Sequence, residues 1–137
     1  MTDDVKTVLG PYSASVRAAF KDPRHAGEPP AGTGQRFESC ASESEQGARI
    51  SLFAVIDKDT LIALRYRVYG CPHLIAAAQV SCERFEGSPV QALTDFSVSG
   101  LMETLGVPIE KTGRILLLDD ALQSLRAQID GIAIDET

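Results

Sequence analysis

A cysteine at the junction of a strand and a helix is the residue of this sequence best placed to do chemistry. In Tyr69-Gly70-Cys71-Pro72-His73, an alternating strand pattern ends, glycine permits a sharp turn, and proline suits the first turn of a helix. Cys71 is therefore predicted at a helix N-terminus, where unpaired amides and the helix dipole favour the thiolate, the form that binds metals and attacks electrophiles. A half-buried cysteine that only closes the turn fits the same local sequence.

The other cysteines and the histidines are weaker candidates. Cys82 follows Cys71 by about 16 Å along a helix and has apolar neighbours, which predicts a small core residue. His73 is close enough to Cys71 to be a second ligand or a proton carrier, but a solvent-facing position is expected for it. His25, in a loop rich in proline and glycine, is a minor ligand candidate. The sequence has no CxxC pair, so spacing indicates neither a disulfide framework nor a zinc ribbon.

Size and charge limit the classes of protein. The 137 residues are enough for one core, which predicts a single domain over residues 1–137. The 13 basic and 19 acidic side chains give a net charge of -6, which repels phosphate backbones and anionic membranes, so neither nucleic acid nor a membrane is expected as a partner. No apolar run has the length of a membrane span and no targeting peptide pattern is present, which predicts a cytoplasmic protein.

Hydrophobic periodicity predicts the elements that position Cys71. A helix over Tyr12 to Phe20 precedes a loop over Lys21 to Gln35; three strands follow at Arg36 to Ser42, Arg49 to Ile56 and Leu61 to Tyr69. The helix after Gly70 buries a stripe from Leu74 to Phe85 and stops at Gly87, and later helical pieces are predicted at Val90 to Phe96, Val98 to Leu105 and Thr112 to Ile129. Strands followed by helices predict an α+β fold in which a mostly antiparallel sheet packs against helices.

Three segments resemble those of a known family. Tyr12 to Gly27, YSASVRAAFKDPRHAG, is similar to an opening helix that ends in an asparagine-proline-arginine-asparagine-x-glycine turn. Tyr69 to Gly87 resembles a glycine-cysteine helix, and Val107 to Lys111 followed by Asp119-Asp120-Ala121 resembles a proline-lysine segment and a last helix. These segments, in this order, resemble the U-type scaffold family of iron-sulfur assembly, which includes IscU and the N-terminal domain of NifU. The resemblance implies that family's fold, with a three-stranded sheet.

The resemblance also implies site residues. Members of the family bind a cluster or a metal with three cysteines, helped by an aspartate and a histidine. Cys71 matches the middle cysteine, whereas the cysteine-glycine-aspartate segment falls on Gln46-Gly47-Ala48 and the histidine-cysteine pair on Gly113-Arg114. Arg114 is therefore expected near Cys71, where it would supply a fixed positive charge in place of a ligand. A surface arginine at the start of a helix fits the same sequence. The chaperone-recognition segment is partly kept as Val107-Pro108-Ile109-Glu110-Lys111.

Cys40 is a second candidate metal ligand. It follows Gly32-Thr33-Gly34 at nearly the distance at which the family's first cysteine follows a similar segment, so a longer loop would let it stand in. Cys40 and Cys71 would still be two thiolates, short of the four that hold typical clusters.

Two functions follow from the resemblance. The first is a scaffold-like carrier in iron-sulfur cluster assembly, with Cys71 receiving sulfur or iron from partners such as a cysteine desulfurase; an iron-sulfur cluster, iron or zinc are then the implied cofactors. The second is a metal-free relative that binds or regulates those partners, which the missing ligands favour. A thiol enzyme has less support because no base is recognisably placed beside Cys71, and the chain is expected not to be an enzyme.

Overall fold

An antiparallel sheet of three strands forms the centre of the protein. The computed structural model describes residues 14–30, 32, 34–43 and 47–135. Strands β1 (Gln35–Glu43), β2 (Ala48–Asp57) and β3 (Thr60–Tyr69) lie in the order β1-β2-β3, which leaves β1 and β3 as the outer strands. Lys58 and Asp59 join β2 to β3 with φ angles of 52° and 67°, the backbone that matches the twist of a tight hairpin. The predicted α+β class is confirmed.

Within the described residues, four helices accompany the sheet: α1 (Ala14–Lys21), α2 (Pro72–Phe85), α3 (Val98–Leu105) and α4 (Thr112–Asp135). Short 3-10 turns at Val90–Asp95 and Ile109–Lys111 precede α3 and α4. Helix α3 begins where the Ser97 hydroxyl accepts the Gly100 amide at 3.1 Å and ends at Gly106, whose φ of 65° suits glycine. The Tyr12 start of the first predicted helix lies outside the described residues, and α4 continues past the predicted Ile129.

The core lies between the sheet and the helices. Helix α2 packs against β3 and helix α4 against β1 and β2. Ser39 on β1 donates its hydroxyl to the carbonyl of Ala121 on α4 at 2.8 Å, which fixes the helix across the strand. The predicted stripe of α2 is buried, as are residues at helical spacing on α4; together they are Leu74, Ala77, Ala78, Ser81, Cys82, Phe85, Ile115, Leu118, Leu122 and Leu125.

The loop after α1 closes the outer edge of β3. The Tyr66 amide donates to the His25 carbonyl at 3.0 Å, and the Gly27 amide donates to the Tyr66 carbonyl at 2.7 Å. Gln79 on α2 is 1% exposed and holds His25 twice, because its Oε1 accepts the His25 amide and its Nε2 lies 2.9 Å from the His25 Nδ1. His25 Nε2 in turn lies 3.2 Å from a carboxylate oxygen of Glu86. The loop is thus bonded to both the sheet and helix α2.

The turn after α2 bonds to the first part of the same edge. The Leu61 amide donates to the Ser88 carbonyl at 2.9 Å, and the Gly87 amide donates to the Leu61 carbonyl at 2.6 Å. Between Leu61 and Tyr66 on the same strand, the Leu64 amide donates to the Glu86 carboxylate at 2.8 Å. Backbone groups of β3 that face away from β2 are therefore already bonded at Leu61, Leu64 and Tyr66.

No helix in the described part of the chain is both long enough and apolar enough to cross a bilayer.

Candidate functional site

Cys71 lies where the sequence predicts it, at the start of helix α2. The preceding Gly70 has a φ of 116°, and a Cβ there would meet the Cα of Ala48 on β2 at 3.4 Å. Cys71 precedes the helix with extended backbone (φ -88°, ψ 129°), and Pro72 begins the first turn. Its thiol forms no capping hydrogen bond. The helix start does not depend on this side chain, which leaves the half-buried sulfur available for chemistry.

His73 is buried beside Cys71, so the expected solvent-facing position is wrong. Its Nδ1 lies 3.8 Å from the Cys71 Sγ, and only 4% of the residue is exposed. The reason is helical spacing, because His73 shares a face with the buried Ala76 and Ala77. Burial lowers the pKa of His73, and the positive charge of Lys111 lowers it further. The imidazole is therefore neutral near pH 7 and offers one nitrogen donor and one acceptor.

Arg114 forms an ion pair with Glu43. Its Nη1 donates to a carboxylate oxygen of Glu43 at 3.1 Å, and the arginine side chain is 14% exposed. The pair joins the start of α4 to the end of β1. The Arg114 Nε is buried and has no hydrogen-bond partner within the described residues. The proximity of this guanidinium to Cys71 stays a prediction.

The three thiols occupy three different environments. Cys82 is buried in the core, and this burial raises its pKa well above the ordinary value, so it stays a thiol. Cys40 is exposed on β1, where strand alternation turns it away from the helices, opposite to the buried Ser39. Because β2 lies between β1 and β3, two strand spacings, about 10 Å, separate Cys40 from the strand that leads to Cys71. The role of Cys40 as a metal ligand stays a prediction.

The other aligned positions carry no ligand side chains. Gly47 has a φ of 71° in the turn between β1 and β2, Ala48 is buried, and Gly113 is exposed in the first turn of α4. Gln46 lies outside the described residues. Across residues 14–30, 32, 34–43 and 47–135, no group of three or more His, Cys, Asp or Glu side chains is arranged to hold a metal ion.

The chain matches the family model described as "NifU-like N terminal domain" over residues 11–130. The chain belongs to this family. The resemblance to the N-terminal domain of NifU that the sequence indicates is thereby confirmed.

One relative of this NifU-like domain is the "Bifunctional protein NifU/MnmA" of Rubrobacter xylanophilus, which is 31% identical over 114 residues. The match takes in 79% of this chain but 22% of the relative, so the chain spans a minor part of that protein's length.

Solved structures show the same fold. A putative iron-sulfur cluster assembly scaffold protein for the SUF system from Fervidobacterium islandicum is 15% identical, with a TM-score of 0.66 over 84% of this chain and 96% of the other. A nitrogen-fixing NifU-like protein (N-terminal) from Brucella abortus is 12% identical, with a TM-score of 0.69 over 87% and 94%. These likenesses confirm the expected three-stranded NifU-like fold.

Sequence reasoning missed the bonds of His25 and the ion pair of Arg114 with Glu43. One signal for the first was present, since Gln79 interrupts the apolar stretch of α2 and a buried amide needs partners. The second joins residues 71 positions apart and has no local pattern.

Proposed function

We propose that this NifU-like domain acts in iron-sulfur cluster assembly as a scaffold-like carrier and that Cys71 holds its cargo. One observation carries the proposal: Cys71 is the half-buried thiol at the start of α2, with a neutral imidazole nitrogen 3.8 Å away. Cys82 is buried in the core, and Cys40, although exposed, lies on β1, two strands away from the strand that leads to Cys71. Cys71 is therefore the thiol that a partner can reach at the position matching the family's middle cysteine.

Sulfur is the cargo that this set of side chains supports best. A metal ion needs several donors, whereas a persulfide needs one thiolate. Lys111 acts electrostatically on His73, and Arg114 is proposed to add its positive charge near Cys71. Positive charge opposes a bound cation and stabilises a persulfide anion. In the transfer step, the Cys71 thiolate attacks the outer sulfur of a donor persulfide, a new S–S bond forms, and the donor cysteine leaves as a thiolate.

The test is sulfur loading. The full chain is incubated with a cysteine desulfurase and L-cysteine, and the sulfur on each cysteine is located by peptide mass spectrometry. Loading of Cys71 that disappears in Cys71→Ser and persists in Cys40→Ser supports the proposal. A chain that stays free of added sulfur in the presence of an active desulfurase refutes it as a sulfur carrier.

The same variants decide the role of metals. Anaerobic reconstitution with iron and sulfide, followed by visible absorption and metal analysis, measures cluster binding directly. A stoichiometric cluster that is lost in both Cys71→Ser and Cys40→Ser would establish the two cysteines as ligands and iron as the cargo. Metal analysis of the purified chain measures whether zinc, the third implied cofactor, is bound.

A second function is a metal-free partner-binding or regulatory module. It is favoured by the lack, within the described residues, of a group of side chains suited to a metal. A chain that stays colourless and unsulfurated, yet binds a desulfurase and changes its rate of cysteine turnover, would support this function over the first.

A further inference from the structure

A groove of about 770 Å³ lies along the side of the sheet that faces away from α2 and α4. Its walls come from the loop after α1 at Pro23, Ala26, Gly27 and Glu28, and from outward side chains of the strands such as Ser51 and Phe53. A volume of this size falls in the range of specific binding sites. We call it the outer groove.

One end of the outer groove is lined by residues that are close to Cys71 in the chain. Its lining residues include Tyr69, two positions before Cys71, and Ile75, whose amide donates to the Cys71 carbonyl at 3.1 Å. Tyr69 is 77% exposed, which is unusual for a large aromatic side chain. Arg49 is the direct neighbour of Tyr69 across the strands and also lines the groove. A molecule lying in the groove would thus reach the end of β3 and the start of α2, the part of the chain that carries the reactive thiol.

The positive side chains of the groove lie towards the end of β3 that leads to Cys71. Arg67 and Arg36 both bind Glu28, and they stack over the ring of Phe53 at 5.7 and 5.2 Å. These arginines lower the pKa of Glu28, which keeps it ionised as their shared partner. Arg49, by contrast, is exposed and has no acidic partner among the described residues.

The opposite charge lies further from Cys71. Glu38 lines the groove and pairs across the strands with Phe53, which in turn pairs with Arg65 on β3. Arg65 is two positions farther from Tyr69 than Arg67 is, so Glu38 lies farther along the groove. Glu38 also has no ion-pair partner in the part of the chain that the structure describes. The groove therefore presents a cation and an exposed ring at the end of β3 that leads to Cys71, and an anion farther along it, in a protein whose net charge is -6.

We infer that the outer groove is the docking surface for an extended segment of the protein that delivers sulfur to Cys71. This inference rests on the proposed function. The segment carries a carboxylate that binds Arg49, an apolar side chain that contacts Tyr69, and its reactive cysteine beyond them. Because the edge of β3 is already bonded at Tyr66, the segment is held by side chains in the groove and adds no strand to the sheet.

The test measures sulfur loading of Cys71 against the concentration of this protein, with a cysteine desulfurase and L-cysteine as the source. Arg49→Glu and Tyr69→Ser are each expected to raise the concentration for half-maximal loading about tenfold and to leave the rate at saturation unchanged, since they alter docking and not the thiol. Lys58→Glu is the matched control: it reverses a charge at the opposite end of the sheet and should change the concentration less than about twofold. Added salt should weaken loading of the parent more than loading of Arg49→Glu.

Three outcomes overturn the inference. The first is loading of Arg49→Glu and Tyr69→Ser with the same concentration dependence as the parent. The second is an equal loss in Lys58→Glu, which would show a general charge effect. The third is self-association of the parent in sedimentation that Arg49→Glu abolishes, because the groove would then hold a second copy.

A failure of the proposed function gives a different pattern. In that case the parent takes up no sulfur at all, and docking is still measured as the Kd between desulfurase and the Cys71→Ser chain. Weaker binding by Arg49→Glu, with Lys58→Glu unchanged, would keep the docking surface without the sulfur transfer.

Discussion

Replacing Gln79 with leucine should loosen the loop that walls the outer groove. Gln79 is buried on α2, and its amide accepts the His25 backbone N–H and contacts the His25 ring, each at 2.9 Å. Leucine has a similar volume, so the substitution removes hydrogen bonds without opening a large cavity. The backbone nitrogen and the Nδ1 of His25 would both lose their Gln79 partner, at a largely buried position.

The expected loss of stability is about 2 kcal/mol. Each neutral hydrogen bond contributes about 1 kcal/mol, and a buried donor left without a partner costs about 1–3 kcal/mol. The added burial of apolar leucine atoms offsets part of this, by roughly 1 kcal/mol. For a domain of this size, 2 kcal/mol corresponds to a fall in Tm of about 6–10 °C.

Urea unfolding of the full chain measures the change. The matched control is Gln123→Leu, because Gln123 is an exposed glutamine on α4 whose amide donates to Asp119 at 2.8 Å; its effect should stay within about 0.5 kcal/mol. Hydrogen exchange should also quicken at the amides of Gly27 and Tyr66, which join the loop to β3. Equal stability of the two variants, with unchanged exchange, would refute this account of the loop.

Three further predictions concern single side chains. Burial lowers the pKa of His73 in the folded chain, so the unfolded chain binds a proton on this histidine at a higher pH than the folded chain does. The contribution of His73 to stability should therefore be complete above a pH of about 6.5 and decrease as the pH falls below it. Urea unfolding at several pH values should show a smaller decrease for His73→Asn. Tyr66→Phe should leave stability unchanged or raise it by up to about 1 kcal/mol, because the buried hydroxyl has no hydrogen-bond partner within the described residues; a loss in thermal unfolding would contradict this. Gly70→Ala should cost about 1–2 kcal/mol, since its φ is 116°, whereas Gly113→Ala, in open space on α4, should cost nothing in the same assay.

Much of the fold could be predicted because its periodicity is local. Helix α2 has apolar residues at helical spacing from Leu74 to Phe85, between a glycine on each side, and all the predicted stripe is buried. The alternating residues of β2 and β3, separated by the turn residues Asp57-Lys58-Asp59, likewise predict a hairpin, and the two strands pair as antiparallel neighbours. The single-domain prediction for residues 1–137 stays a prediction.

The sequence did not reveal the irregular register of the hairpin. A shift at Val55 and Ile56 lets Leu61 and Leu64 both face the core, while Ile62 is exposed. Simple alternation would place Leu61 and Leu64 on opposite faces. Leu61 is also hydrogen-bonded to Gly87 and Ser88 in the turn after α2, and this contact is not local in sequence.

The site was predicted less completely than the fold. The position of Cys71 follows from glycine and proline beside it, which are local signals. The burial of His73 depends on what packs over the first turn of α2, and the partner of Arg114 comes from the far end of β1. Such contacts are set by packing between elements distant in the chain, and neither residue's own neighbours indicate them.

The bonded edge of β3 has a consequence for how this protein associates with others. At Leu61, Leu64 and Tyr66 the outward backbone groups already have partners, and so a foreign strand, whether from an unfolded chain or a growing aggregate, finds no template there. Glu86 is the vulnerable point, since one carboxylate both bonds Leu64 and contacts His25. Losing that carboxylate would leave the Leu64 amide without a partner at the edge of the sheet, and the tendency of the chain to self-associate would increase before the fold itself changed.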